Sequence, residues 1–257
     1  MPKFNARSLE ASLSDTKFFD RGARRLDAVN RKIQRRANNP LRQYFENNDQ
    51  RMINKWLHYF DIYHRHVAPF RDRPVTLLEF GVWQGGSLQM WRDYLGPKAR
   101  IVGVDINPAC AELTGPQIEV VIGDQNDREF LAGLAKRLGK VDILIEDGGH
   151  HPQQQINTFE IFWPIIKNNG IFLIEDLHTS YWERYGGGLR GPLTFIEYAK
   201  GLVDQMHAWY GHELPDLNPD VYTKTIRGMH VYDSIIVFDK AKQIKKPTQK
   251  KTGYASF

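Results

Sequence analysis

Val141-Asp142-Ile143-Leu144-Ile145-Glu146-Asp147-Gly148-Gly149-His150 and, twenty residues on, Gly170-Ile171-Phe172-Leu173-Ile174-Glu175-Asp176-Leu177 share one construction: an apolar run of strand length that stops abruptly on carboxylates. Short apolar runs bounded this way read as buried strands of an α/β sheet. In open α/β sheets, ligands bind just past the carboxyl ends of the strands. If the two strands are neighbours, Asp147, Glu175 and Asp176 converge there, with His150 one short turn away. Carboxylates crowded that closely repel one another and demand a cation. Hard oxygen ligands favour Mg²⁺, Mn²⁺ or Ca²⁺ over zinc. The chain therefore reads as a metal-assisted enzyme.

The pattern continues on both sides. Residues 75–80 read as a buried strand, followed by a glycine turn and a helix through about Tyr94. Residues 101–106 and 118–122 are two more strands, the first ending at Asp105 and the second followed by Gly123-Asp124-Gln125. Helices are expected over residues 128–138 and 153–167, and strands over 141–145 and 171–174. Strands alternating with helices imply βαβ units and a parallel sheet. Residues 221–226 and 231–238, separated by Arg227-Gly228, predict an antiparallel hairpin that closes it. Upstream, Ile53, Trp56, Leu57, Phe60 and Tyr63 predict a helix over 52–67 with a core-facing stripe. His58, His64 and His66, in or near it, read as packing or surface residues. Leu26, Val29 and Ile33 predict another helix over about 20–36.

The net charge of +5 on 257 residues hides an asymmetry. Residues 1–73 carry a balance of +8 and residues 239–257 one of +5, whereas the middle carries −8. The expected organisation is a basic helical arm (1–50), a catalytic domain (51–239) and a frayed basic tail (240–257). Basic flanks around an acidic site suit a cation in the site and argue against a nucleic-acid backbone lying across it. No apolar run approaches the roughly 20 residues that span a bilayer, and no apolar stretch follows the first charges as a secretory signal requires. A cytoplasmic protein is expected, in keeping with a single cysteine, Cys110, which reads as a packing residue.

Glu79-Phe80-Gly81-Val82-Trp83-Gln84-Gly85-Gly86-Ser87 ends one strand and opens a helix. Gly81 and Gly85 allow a tight turn and a close ligand approach. The spacing is neither the dinucleotide fingerprint nor a P-loop. Glu79 would repel a pyrophosphate but accept a hydrogen bond from a cationic amino-acid group. Asp105 is placed for the two hydroxyls of a ribose, and Asp124-Gln125 for an adenine ring. An amino acid, a ribose and an adenine without phosphate make S-adenosylmethionine.

These residues, with Gly85-Gly86-Ser87-Leu88-Gln89-Met90-Trp91, Gly103-Val104-Asp105-Ile106, Glu146-Asp147-Gly148-Gly149-His150 and Ile174-Glu175-Asp176-Leu177-His178-Thr179-Ser180-Tyr181-Trp182, resemble the metal-dependent sugar O-methyltransferases of the macrocin and mycinamicin type over roughly residues 50–240. The resemblance implies a Rossmann-like class I methyltransferase fold, a seven-stranded, mostly parallel sheet, with S-adenosylmethionine as methyl donor and Mg²⁺ as an essential ion, Mn²⁺ being the substitute. It implies Asp147, Glu175 and Asp176 as metal ligands, His150 as general base, and Glu79, Ser87, Asp105, Asp124 and Gln125 as cofactor contacts. His178, Tyr181 and Trp182 are expected on the acceptor side, the aromatic rings as a stacking surface for a sugar. Gly186-Gly187-Gly188 suggests a mobile loop over the acceptor. The macrolide enzymes carry a separate N-terminal domain, where this chain shows a short basic arm, so the acceptor and the assembly do not carry over. An even-numbered homo-oligomer is the assembly the arm favours. Two alternatives remain: a catechol or phenol O-methyltransferase, whose ligands are typically an Asp and an Asp-Asn pair, and a nucleic-acid-associated protein acting through the basic flanks. Cephalosporin hydroxylase-like proteins are also similar in outline.

Overall fold

A computed structural model describes residues 39–253; the helix expected over 20–36 lies outside the described residues. From Leu41 onward the described residues form one compact unit. Seven strands, β1 (Thr76–Phe80), β2 (Arg100–Asp105), β3 (Ile118–Ile122), β4 (Val141–Glu146), β5 (Ile166–Ile174), β6 (Ile226–Val231) and β7 (Ile236–Lys240), make one sheet in the order β3-β2-β1-β4-β5-β7-β6. β1 to β5 are parallel, and β7 and β6 complete the sheet antiparallel, as expected. The strand order reverses between β1 and β4, which opens a crevice at their carboxyl ends.

Alternation along the strands fills both faces. Leu77, Ile101, Ile143, Ile145, Leu173 and Val237 point one way, against α2 (Tyr59–Val67) and α3 (Gly86–Leu95), which contribute Tyr59, Tyr63 and Trp91. A shorter helix, α1 (Pro40–Glu46), adds Leu41 to the same core. Leu78, Val104, Leu144, Phe172 and Phe238 point the other way, against α4 (Arg128–Leu138), α5 (Pro152–Phe162) and α6 (Phe195–His207), where Phe159, Phe162, Trp163 and Phe195 gather. Sheet residues buried on both faces are what makes these strands continuous apolar runs.

Three elements differ from the sequence expectation. The helix expected over 52–67 begins only at Tyr59, and Met52 to Leu57 run irregularly. A Cβ on Gly86 would overlap the carbonyl oxygens of Arg51 and Met52, so this stretch lies directly on the start of α3. Trp56 and Leu57 consequently stay half exposed, at 56% and 50%. The helix expected over 153–167 stops at Phe162: a 3₁₀ turn, Trp163–Ile165, follows, and Ile166 already opens β5; Pro164, which has no backbone N–H, cannot carry the α-helical bond ladder further. The hairpin turn falls not at Arg227-Gly228 but between β6 and β7, where Ser234 takes φ 65°. Arg227 and Gly228 lie within β6, at a shift of register that glycine accommodates. β7 ends on Lys240, which is buried with its ammonium on the Trp163 carbonyl.

Candidate active site

Phe80 pairs with Val104 and with Glu146, and Glu146 pairs with Ile174. The next residue on each chain, Gly81, Asp105, Asp147 and Glu175, therefore stands in one row. Backbone bonds extend the row: Asp147 N donates to Phe80 O at 3.0 Å and Glu175 N to Glu146 O at 2.9 Å. Gly81 has φ +88°, and a Cβ there would overlap the Asp147 carbonyl oxygen, so only glycine lets the two loops touch. His150 and Asp176 adopt left-handed backbone, φ 59° and 53°. Such conformations are uncommon for residues with a Cβ and cluster where a side chain must be aimed.

A cavity of ≈530 Å³ opens at the crevice, lined among others by Gly81, Asp105, Asp124, Gln125, Asp147 and His150. Asp105 is largely committed to the protein: Oδ2 accepts from Val82 N and Trp83 N at 2.8 and 3.0 Å, and Oδ1 from Asn107 N at 2.9 Å. It fixes the glycine turn as well as facing the cavity. Asp124 Oδ1 accepts from Asn126 N at 2.8 Å. Gln125 bridges inward, donating to Glu146 Oε1 at 2.6 Å and to Thr158 Oγ1 at 2.8 Å. Cys110 lies in the cavity wall, and burial pushes its thiol up. Gly85, φ +75°, opens α3 through its backbone. Glu79 does not face this cavity: it is fully buried and accepts from the Ser87 hydroxyl at 2.8 Å and the Trp91 indole at 3.2 Å. Burial raises its carboxyl to about 7, with Lys55 pulling against that. Ser87 borders a small recess with Lys55, Gly81 and Asp147.

The sequence reading missed the residue at the centre of the acidic set. Lys55, from the irregular stretch before α2, has a side chain only 4% exposed. Its ammonium donates to Asp147 Oδ2 and, at 2.8 Å, to Glu175 Oε2, and lies 3.9 Å from Glu79 Oε1. Burial by itself would lower the Lys55 pKa, but Asp147, Glu175 and Glu79 outweigh it and hold it well above the lysine range. Burial and then Asp147 raise Glu175 well above the carboxylate range, despite Lys55. One ammonium thus faces more buried carboxylates than it can neutralise. Asp176 sits beside them: Tyr59 donates to its Oδ1 at 2.6 Å, and His150 Nε2 lies 3.6 Å from its Oδ2. Ligand-type atoms of Asp147, His150 and Asp176 all lie within 4.8 Å of one another. Glu175 stands next to this group, with Oε2 on Lys55 and the Tyr63 hydroxyl close by, which pulls against the rise of its carboxyl. His150 Nδ1 is buried and unpartnered.

On the other side of the carboxylates a second cavity, ≈300 Å³, is lined by Asn54, Lys55, Trp56, Leu57, Tyr59, Asp147, Glu175 and Asp176. The two cavities share Asn54, Asp147 and Asp176. His178, Tyr181 and Trp182 line neither. His178 stacks edge-on against Trp56 at 5.9 Å and packs on Trp182 at 4.6 Å, so that part of the expected acceptor set forms an aromatic rim. Tyr181 is half exposed. Gly187 and Gly188 donate to the Trp182 and Ser180 carbonyls at 3.0 and 2.9 Å, which makes the glycine run a closed turn. A second group of ligand-type residues, His66, His230 and Asp239, lies at the opposite end of the sheet, where Asp239 pairs with Ile171. Among the described residues no helix is long and apolar enough to cross a membrane.

Residues 78–177 match a family model described as a methyltransferase domain. Mycinamicin VI 2''-O-methyltransferase of Micromonospora griseorubida is 33% identical over 198 residues, covering 73% of this chain and 49% of its own length. Demethylmacrocin O-methyltransferase of Streptomyces fradiae is 34% identical over 202 residues, covering 72% and 50%. The chain thus spans about half the length of the curated relatives it matches. A solved methyltransferase of the mycinamycin biosynthetic pathway, in complex with Mg, SAH and mycinamycin VI, superposes with a TM-score of 0.71 at 30% identity, covering 82% of this chain and 55% of that one.

Proposed function

We propose that this chain, 33% and 34% identical to the mycinamicin- and macrocin-type sugar O-methyltransferases over about half of their length and matching a methyltransferase domain over residues 78–177, transfers the methyl group of S-adenosylmethionine to a sugar hydroxyl with help from a divalent cation. The observation that carries this reading is the meeting of two cavities at Asp147 and Asp176, with His150 in the same group. The cavity holding Asp105, Asp124 and Gln125 suits the nucleoside, and the recess at Ser87 the amino-acid end. The cavity holding Asn54, Trp56 and Leu57 combines apolar surface with hydrogen-bonding groups, the mixture a sugar ring requires.

The donor set fits a hard divalent ion: carboxylate oxygens of Asp147 and Asp176 at close range, with the buried carboxyl of Glu175, raised by burial and by Asp147, beside them. Asp147 and Asp176 would hold it, with Glu175 beside them. Such an ion, Mg²⁺ by preference, acts as a Lewis acid that acidifies and orients the acceptor hydroxyl. His150 takes the hydroxyl proton, and Asp176, 3.6 Å from Nε2, stabilises the imidazolium that results. General-base help of this kind contributes about 10²–10⁴-fold. Asp105 and Gly81 keep the donor loop in register, so the methyl carbon and the acceptor oxygen approach in line. A panel of glycosides incubated with S-adenosylmethionine carrying a deuterated methyl, with Mg²⁺ or with EDTA, tests the reading by mass spectrometry. A labelled methyl ether in Mg²⁺ alone, lost in Asp147→Ala and reduced about 10²–10⁴-fold in His150→Ala, is expected. Undiminished transfer in EDTA removes the ion from the reaction. Transfer to catechols and to no glycoside moves the enzyme to the phenol class.

A further inference from the structure

Resting on that reading of the site, we propose that Lys55 is a built-in counter-ion: its ammonium occupies the carboxylates in the ion-free chain and withdraws into the adjoining cavity when the divalent ion binds. Each of two carboxylates assigned to the ion already has one oxygen taken by Nζ, Asp147 through Oδ2 and Glu175 through Oε2. An ion bound at about 2.1 Å from these carboxylates would lie only a few ångströms from the ammonium. The Lys55 side chain is only 4% exposed, so the repulsion is screened far less than in solution. Lys55 has the freedom to leave. It stands on an irregular stretch, not on a helix or strand, and its charge rides on a flexible four-carbon stem. It also lines the ≈300 Å³ cavity, next to Trp56 and Leu57. The exchange needs a rotamer change and no refolding. Two consequences follow from mutual exclusion: Lys55 sets a threshold that the ion must exceed, and ion binding delivers a positive charge to the acceptor cavity.

A purely orienting lysine predicts the opposite response, because losing a partner that aims metal ligands weakens metal binding. Calorimetric titration of Mg²⁺ into wild type, Lys55→Met and Lys55→Arg decides between them. Lys55→Met is expected to bind at least about ten-fold more tightly, and Lys55→Arg, which keeps the charge, to stay within about three-fold of wild type. Unchanged or weaker binding by folded Lys55→Met overturns the proposal. Should Lys55→Met fail to fold, wild type decides: reductive methylation with peptide mass spectrometry should find Lys55 protected without ion and modified at saturating Mg²⁺. Continued protection at saturation overturns the exchange. If wild type binds no divalent ion, the ion-dependent function itself falls and this inference with it, an outcome distinct from ion binding that ignores Lys55.

Discussion

Tyr59→Phe removes a single hydroxyl from a fully buried side chain at the start of α2. That hydroxyl donates to Asp176 Oδ1 at 2.6 Å and accepts from Asp176 N at 3.3 Å. Burial, and then the bond to Asp176, hold the phenol well above the tyrosine range, so it remains a donor at every working pH. A hydrogen bond to a charged acceptor contributes about 1.5–3 kcal/mol. Asp176 keeps 23% of its side-chain surface, so water partly replaces the lost donor and the lower end applies, about 1.5–2 kcal/mol. Phenylalanine fills the same space, which leaves no cavity to add to the loss. Urea denaturation of the ion-free proteins, followed by circular dichroism, should show this difference at an unchanged m-value. Because Tyr59 aims a carboxylate assigned to the ion, Mg²⁺ affinity should also fall by about ten-fold. A variant within about 0.5 kcal/mol of wild type and with unaltered Mg²⁺ affinity would refute the claim that Tyr59 positions Asp176.

Gly81→Ala forces a Cβ into the Asp147 carbonyl at φ +88°; a loss of more than about 2 kcal/mol is expected, together with loss of S-adenosylhomocysteine binding by calorimetry, and wild-type affinity in a stable variant would contradict it. His66, at the end of α2, is held down to about 4 by burial and then by His230. Between about pH 6.5 and 4 the unfolded chain therefore takes up a proton that the folded chain refuses, so stability present above that window is lost as pH falls through it, by at most about 1.4 kcal/mol per pH unit. Urea midpoints at about pH 7.5 and about pH 5 should separate wild type from His66→Gln, with wild type losing more on acidification; equal losses would contradict the assignment.

Much of the fold was legible because its signals are local. Each apolar run ending in Asp or Glu is a buried strand of the sheet, and the βαβ alternation carries the parallel topology. Two of the misread elements, the helix over 52–67 and the hairpin turn, share a cause: a tertiary contact overrode a local pattern. The stripe from Ile53 to Tyr63 has helical spacing, yet its first half is drawn straight across α3 by Asn54 and Lys55 facing the cavities. Gly228 carries a turn signature, yet pairing with β7 uses it as a bulge inside a strand, while the chain reverses around Ser234.

The alternation of residue types along the chain was enough to establish a seven-stranded α/β sheet with carboxylates at the ends of β2, β4 and β5, because strand burial and loop chemistry act between near neighbours. How those carboxylates are neutralised required the folded chain. Lys55 lies 92 residues from Asp147 and 120 from Glu175, and a lone lysine between Asn54 and Trp56 carries no sign of such partners. Tyr59 and Asp176 meet across 117 residues. The sheet's register turns a list of acidic residues into a row, and burial within that row makes each added charge costly enough to dictate which cation stands beside it.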